Sequence, residues 1–140
     1  MGRSKPLKTG VEEGSSDPPF RWSIGILQLA FEEAMAVLTD GQYRHVALQF
    51  QELARQESMT RSETISIDKI DSYYELREKG GILGNINLRV FYGIDDARKC
   101  GIVLGVFHKK NDGATPVPVR HRMSLRWNRY QAGLYGFLTK

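Results

Sequence analysis

Apolar side chains recur at helical spacing in the first part of the chain. One stripe runs through residues 20–38, and a second runs through residues 42–57, after a break at Thr39 to Gly41. Together they predict a helical hairpin. Phe20 to Leu27 also fits a strand, so the start of the first helix is open. The stripes consist of Ile24, Leu27, Phe31, Met35 and Leu38, and of Tyr43, Val46, Ala47, Phe50, Leu53 and Ala54.

From residue 64 the pattern changes to that of strands. Alternation and apolar content predict strands at 64–70, 72–78, 86–94 and 100–109. In the third strand, Leu88, Val90 and Tyr92 fall on one face, whereas Arg89 and Phe91 fall on the other. The fourth run is almost wholly apolar, which is typical of a central strand that is covered on both faces.

The chain closes with a two-faced helix at residues 119–130. Pro118 is expected to delay its start. The predicted fold is α+β, with an N-terminal helical hairpin, a small, mainly antiparallel sheet of three to five strands and a closing C-terminal helix. The apolar face of the last helix contains Val119, Met123, Trp127 and Tyr130, and its basic face contains Arg122, Arg126 and Arg129.

Length and composition are those of one small globular domain. We expect residues 1–19, which are polar and rich in Gly, Ser and Pro, to form a disordered tail, and residues 20–140 to form the domain. No apolar run approaches the roughly 18 residues of a membrane span. A single cysteine, Cys100, and the lack of a signal core favour the cytoplasm, with Cys100 as a core residue.

Charge is unevenly distributed between the two halves of the chain. Residues 1–70 carry a net charge of −2, and residues 71–140 carry +6. An anionic partner is therefore expected to bind the second half, although an excess of solvated surface cations gives the same count.

Several kinds of catalytic site are disfavoured by the motifs. His45, His108 and His121 lack metal-ligand spacing, so we expect neither metal nor cofactor. The glycine-rich stretch GGILGNIN lacks the lysine of a phosphate loop, and no serine elbow is present. What remains is a set of cations on consecutive elements, which would bind phosphates if they converged on one concave side of the sheet. These are Arg77, Arg89, His108, Lys109, Lys110, Arg122, Arg126 and Arg129.

The order of these parts resembles the RelE/ParE toxin superfamily of bacterial type II toxin–antitoxin systems, and it looks closest to the phage-derived HigB-like branch. The matching stretches are YYELRE (73–78), LRVFY (88–92), GIVLGVFHKK (101–110) and TP (115–116), followed by Arg126. The resemblance implies a RelE-like domain that enters the ribosome and cleaves mRNA without metal. It also implies a cognate antitoxin as partner.

The resemblance assigns roles to individual residues. It implies catalytic roles for Arg89 and Arg126, with His108 and Tyr130 as proton-transfer groups. It places Lys109 and Lys110 on the RNA, and the nearby cations Arg77, Arg122 and Arg129 would bind phosphates. Two alternatives stay open: a protein of the same fold without nuclease activity, such as a gyrase inhibitor or an inert relative, and an unrelated nucleic-acid-binding or protein-binding module.

Overall fold

The computed structural model describes residues 19–110 and 113–135, which form an α+β fold with a five-stranded mixed sheet. The predicted fold class is thereby confirmed. The predicted tail, residues 1–19, lies outside the described residues apart from Pro19. The elements are β1 (Ser23–Ile26), α1 (Gln28–Val37), α2 (Asp40–Ala54), β2 (Ser66–Lys69), β3 (Tyr74–Glu78), β4 (Leu88–Asp95), β5 (Cys100–His108) and α3 (Val117–Gln131).

Of the two interpretations left open for the start of the N-terminal segment, the strand is confirmed and the helix is wrong. Ile24 belongs to β1, and α1 begins only at Gln28. The side chains that α1 buries are the small Ala30 and Ala34, whereas Phe31 and Met35 of the predicted stripe are 37% and 40% exposed. Helical spacing was misleading here because a short strand followed at once by a helix produces similar intervals.

The strand order across the sheet is β1-β5-β4-β3-β2. β1 runs parallel to β5, with Ser23 opposite Cys100 and Ile26 opposite Val103, and the other three pairings are antiparallel. Since β1 covers only the first part of β5, no strand among residues 19–110 and 113–135 pairs with the edge of β5 beyond Val103 on that side.

One face of the sheet packs against α2. Tyr92 of β4 meets Phe50 of α2 edge to face, with ring centroids 5.2 Å apart. Val46 and Leu53 of the same helix are also buried. The helix begins with a capping box, in which Thr39 and Gln42 satisfy each other's backbone N–H groups.

The opposite face of the sheet packs against α3. A Cβ atom at Gly93 would lie 2.5 Å from the Trp127 ring, and one at Gly105 would collide with Met123, so these glycines make room for the two large side chains. The helix begins at Val117, before Pro118, and the expected delay was wrong. Pro118 occupies the first turn, where its missing N–H costs no helical hydrogen bond.

The predicted core role of Cys100 is confirmed, since this side chain is buried. None of the helices in residues 19–110 and 113–135 is long and apolar enough to cross a membrane.

Candidate nucleic-acid interface

The cations His108, Lys109 and Lys110 stand together at the end of β5, and we call them the β5 rim. His108 is the last residue of the strand and lies opposite Leu88 of β4. The backbone N–H of Lys109 extends the ladder by donating to the Asn87 carbonyl at 2.9 Å. The side chains of His108 and Lys110 are exposed, and Lys109 is half-buried. A rigid, buried strand thus presents its cationic end to the solvent.

Arg89 lies one position from the rim along β4, but its guanidinium is directed inward. The side chain is 1% exposed. Its Nη1 donates to Glu75 Oε2 and to Thr115 Oγ1, both at 3.1 Å, and its Nη2 donates to the Gly113 carbonyl at 3.0 Å. The Thr115 hydroxyl also donates to Glu75. Arg89 therefore joins the sheet to the segment that precedes α3, and its charge is balanced by a fully buried carboxylate.

Arg77 lies beside this cluster, on the neighbouring strand β3. Its Nε is 3.2 Å from Glu75 Oε1 and 3.3 Å from Asp68 Oδ2. A third of the Arg77 side chain is exposed. Two carboxylates therefore bind Arg77, which was predicted from the sequence to bind phosphate.

Arg126 occupies the free edge of β5. Its Nη1 donates to the Leu104 carbonyl at 2.8 Å, and both terminal nitrogens bind the carboxylate of Glu33 on α1, at 2.9 and 2.8 Å. Glu33 in turn accepts the Val106 N–H at 3.0 Å. The ion pair takes the place of the missing strand, because it satisfies a donor and an acceptor that a neighbouring strand would have used.

Tyr130 lies near the opposite end of β4. Its hydroxyl donates to Asp95 Oδ2 at 2.7 Å. Burial, reinforced by this hydrogen bond and the carboxylate's charge, raises the pKa of Tyr130 to about 12. Seven residue steps separate Asp95 from Leu88, or roughly 23 Å along an extended strand, so Tyr130 is remote from the rim.

The predicted site residues consequently fall into separate groups. The three residues of the β5 rim are consecutive, and His108 and Lys110 are exposed whereas Lys109 is half-buried. Arg77 and Arg89 surround Glu75, whereas Arg126 binds Glu33 and Tyr130 binds Asp95. The structure does not bring Arg89, His108, Arg126 and Tyr130 into one cluster. Arg122 and Arg129 are exposed on α3, flanking the buried Arg126.

Sequence reasoning missed the carboxylates that neutralise the arginines. Glu75 and Thr115 are 0% and 4% exposed, yet the sequence analysis contains them only as letters of the stretches YYELRE and TP. The available signal was positional: Glu75 alternates with Tyr74 and Leu76, which puts it on the same strand face as Arg77. Nothing in the sequence pattern pointed to Glu33.

A further titratable pair lies on the other face of the sheet. His45 Nε2 of α2 is hydrogen-bonded to Glu78 Oε2 of β3. Among residues 19–110 and 113–135, no three His, Cys, Asp or Glu side chains are grouped closely enough to hold a metal ion.

Comparisons with known proteins find a similarity at the level of structure but not of sequence families. No protein-family model matches the chain, and no curated protein matches it. The chain is similar to a chain in the crystal structure of the toxin–antitoxin complex RelBE2 from Mycobacterium tuberculosis. The two are 15% identical with a TM-score of 0.46, over 68% of this chain and 99% of the other.

Proposed function

We propose that the protein is the toxin of a type II toxin–antitoxin pair, built on a RelE/ParE scaffold of the HigB-like kind, and that it binds RNA on the ribosome. The observation that carries the proposal is the β5 rim: His108, Lys109 and Lys110 stand together at the end of a buried strand. The order of the motifs resembles that of the toxin superfamily, and this resemblance suggests that the target is RNA on the ribosome.

The rim has the chemistry that RNA recognition requires. Two lysines place fixed positive charge where phosphates would lie, and binding would release counterions from the RNA. His108 adds an imidazole, a group that can both accept and donate protons. In the nuclease form of the proposal, His108 takes the proton of the RNA 2′-hydroxyl as the 2′ oxygen bonds to phosphorus, and the lysines stabilise the anionic phosphate. The bond from phosphorus to the 5′ oxygen breaks, and the protonated His108 or water returns a proton to that leaving oxygen.

A second candidate is a toxin of the same scaffold that binds without cutting. The observation that favours it is that the other catalytic candidates already bind carboxylates of the protein itself. Arg89 and Arg126 bind carboxylates inside the fold, and the hydroxyl of Tyr130 donates to Asp95. Cleavage would then depend on the rim alone. The two candidates share the rim and the antitoxin partner, and they differ in whether the RNA backbone is broken.

The test is a cell-free translation reaction with the protein added, followed by primer extension on the mRNA. The variant Lys109→Glu/Lys110→Glu removes the charge of the rim, and Lys69→Glu, on the exposed side of β2, is the matched control. We expect translation to be inhibited by the wild type and the control but not by the rim variant. Inhibition with cut mRNA supports the nuclease, and inhibition with intact mRNA supports the second candidate.

Two results would contradict the proposal. The first is full translation at a protein concentration that saturates the ribosomes. The second is inhibition that the rim variant retains unchanged. Arrest of DNA replication with normal translation would direct attention to gyrase instead.

A further inference from the structure

An apolar cavity lies between the two N-terminal helices and the sheet, on the face of the sheet that packs against α2. Its volume is about 450 Å³, and residues of α1, α2, β1, β4 and β5 line it. The lining side chains are apolar except for Ser23, Tyr43 and Gln51. An engineered apolar cavity of roughly 150 Å³ in another protein binds benzene. The cavity described here is large enough for a longer hydrocarbon.

The cavity is extended along β5. Ser23 lines it beside the start of that strand, where it is opposite Cys100, and Val106 lines it six residues further on, or roughly 20 Å along an extended strand. Residues three apart on a strand ordinarily face opposite sides of the sheet. A bulge leaves Leu104 without a partner residue on β4, so Val103 and Val106 both line the cavity. The bulge thereby continues the apolar lining along the strand.

Two cations lie at the end of the cavity that Phe20 and Trp22 line. Lys99 Nζ is 4.8 Å from the centroid of the Trp22 ring, and the Arg55 guanidinium is 4.1 Å from that of the Phe20 ring. The Lys99 carbonyl also accepts the Ser23 N–H at 2.9 Å, which fixes the lysine backbone beside the start of β1. An elongated apolar cavity thus carries positive charge at one end.

We propose that this cavity binds an alkyl carboxylate, with its hydrocarbon chain along β5 and its carboxylate beside Lys99. Arg55 also pairs with Glu52 at 3.5 Å, so Lys99 is expected to be the main contact of the carboxylate. The proposal goes beyond the function proposed above and does not rest on it.

The lining favours a hydrocarbon chain over a peptide. A peptide would bring backbone N–H and C=O groups that need hydrogen-bond partners, and an apolar lining does not supply them. The Trp22 Nε1 and the Ser23 hydroxyl already donate to backbone carbonyls of the protein. A single free chain is favoured over a membrane lipid, because such a lipid carries two chains and the cavity is one slot.

The test is isothermal titration calorimetry with sodium decanoate below its micelle concentration. Butyrate, which has the same head group on a short chain, and decyltrimethylammonium, which has the same chain length and the opposite charge, are the control ligands. We expect decanoate to bind and both controls to bind at least tenfold more weakly, since each lacks one half of the interaction. Equal binding of the cationic ligand, or a lack of measurable decanoate binding, would show that the proposal is wrong.

Fluorescence of Trp22 locates the bound chain. The sequence contains two tryptophans, and Trp127 packs against Gly93 on the other face of the sheet. Trp127→Phe therefore leaves Trp22 as the only reporter. We expect decanoate to change its emission with the same midpoint as the calorimetric titration. Binding without a change in Trp22 emission would place the ligand elsewhere and contradict the proposal.

Two variants change the cavity itself. Lys99→Glu reverses the charge at its end and is expected to weaken decanoate binding by about fivefold or more, whereas Lys69→Glu, exposed on the far edge strand β2, is the matched control and should not. Ala47→Leu, at a half-buried position of α2 that lines the cavity, fills part of it and should weaken binding by roughly tenfold. Equal affinities of Lys99→Glu and Lys69→Glu, or wild-type affinity of Ala47→Leu, would refute the site.

Urea unfolding without ligand checks that the space in the cavity is real. The added methyl groups of Ala47→Leu enter open volume, so its unfolding midpoint should be no lower than that of the wild type. A clearly lower midpoint would mean that the position is already packed and would overturn the proposal.

Phosphatidylglycerol vesicles test the other source of an acyl chain with an anionic head group. A change in Trp22 emission that vesicles produce and decanoate does not would assign the cavity to membrane lipid, against the proposal. The rim variant Lys109→Glu/Lys110→Glu separates the two proposals, because it should lose translational inhibition and keep its affinity for decanoate. Decanoate binding by a protein that never inhibits translation would support the cavity and count against the toxin.

Discussion

Glu75→Gln is the substitution that most directly tests whether Arg89 is a structural residue. The amide keeps the shape of the carboxylate but removes its charge. It also replaces an acceptor oxygen with a donor NH2 group. Arg89 Nη1, the Thr115 hydroxyl and Arg77 Nε all donate to Glu75 in the native protein, so at least one of them would lose its acceptor.

The expected cost follows from burial. Glu75 is 0% exposed and Arg89 is 1% exposed, so water cannot solvate the Arg89 guanidinium once it has lost its carboxylate partner. Breaking a buried ion pair from one side destabilises proteins by about 3–5 kcal/mol. The total free energy of unfolding of a domain of this size is about 5–15 kcal/mol. The variant should therefore stay folded at low temperature and unfold at a clearly lower urea concentration.

Urea unfolding followed by circular dichroism measures this difference. The matched control is Glu52→Gln: this carboxylate is 64% exposed beside Arg55, so water can solvate it, and its loss is expected to cost less than about 1 kcal/mol. The double variant Glu75→Leu/Arg89→Met replaces the pair with apolar groups, and we expect it to recover much of the loss. A cost for Glu75→Gln no larger than that of the control would refute the structural role of Arg89.

Three further outcomes follow from the structure. The pKa of Tyr130 is raised to about 12, against roughly 10 in the unfolded chain. Its contribution to the free energy of unfolding is therefore complete below pH 10 and is lost as the pH rises to 12. This loss is about 2–3 kcal/mol, and the fall in stability over this window should be smaller in Tyr130→Phe. Gly93→Ala, whose Cβ would lie 2.5 Å from the Trp127 ring, should lower the free energy of unfolding by about 1–3 kcal/mol, whereas Gly41→Ala, whose Cβ would make an ordinary contact with Ile82 Cδ1 at 3.9 Å, should cost much less. Glu33→Gln weakens the closure of the β5 edge and should raise the fraction of dimers and larger species in size-exclusion chromatography.

Most of the fold could be predicted from local periodicity. Apolar side chains recur every two residues in strands and every three to four residues in α3, because these are the positions that must be buried. β1 could not be separated from α1, because four residues are too few to establish a period. Its parallel pairing with β5 joins residues 77 positions apart, as in Ser23 and Cys100, and such contacts leave no trace in a local pattern.

The candidate site was predictable only in part. The rim follows from three consecutive residues, and a cluster of that kind is visible in any sequence. The arginines were misleading because a cation on a strand or helix looks the same whether it faces solvent or a buried carboxylate. Its partner decides this, and the partners of Arg89 and Arg126 come from other elements of the fold.

The uneven charge of the two halves must therefore be reconsidered in three dimensions. Arg126 contributes to the +6 of the second half, yet its charge is balanced by Glu33, which belongs to the first half. Arg89 is balanced by Glu75 inside the second half. Other basic residues of the second half do face solvent: His108 and Lys110 are exposed at the end of β5, and Arg122 and Arg129 are exposed on α3. The positive charge that an anionic partner could meet is therefore smaller than the count of the second half suggests, because buried carboxylates already neutralise two of its arginines.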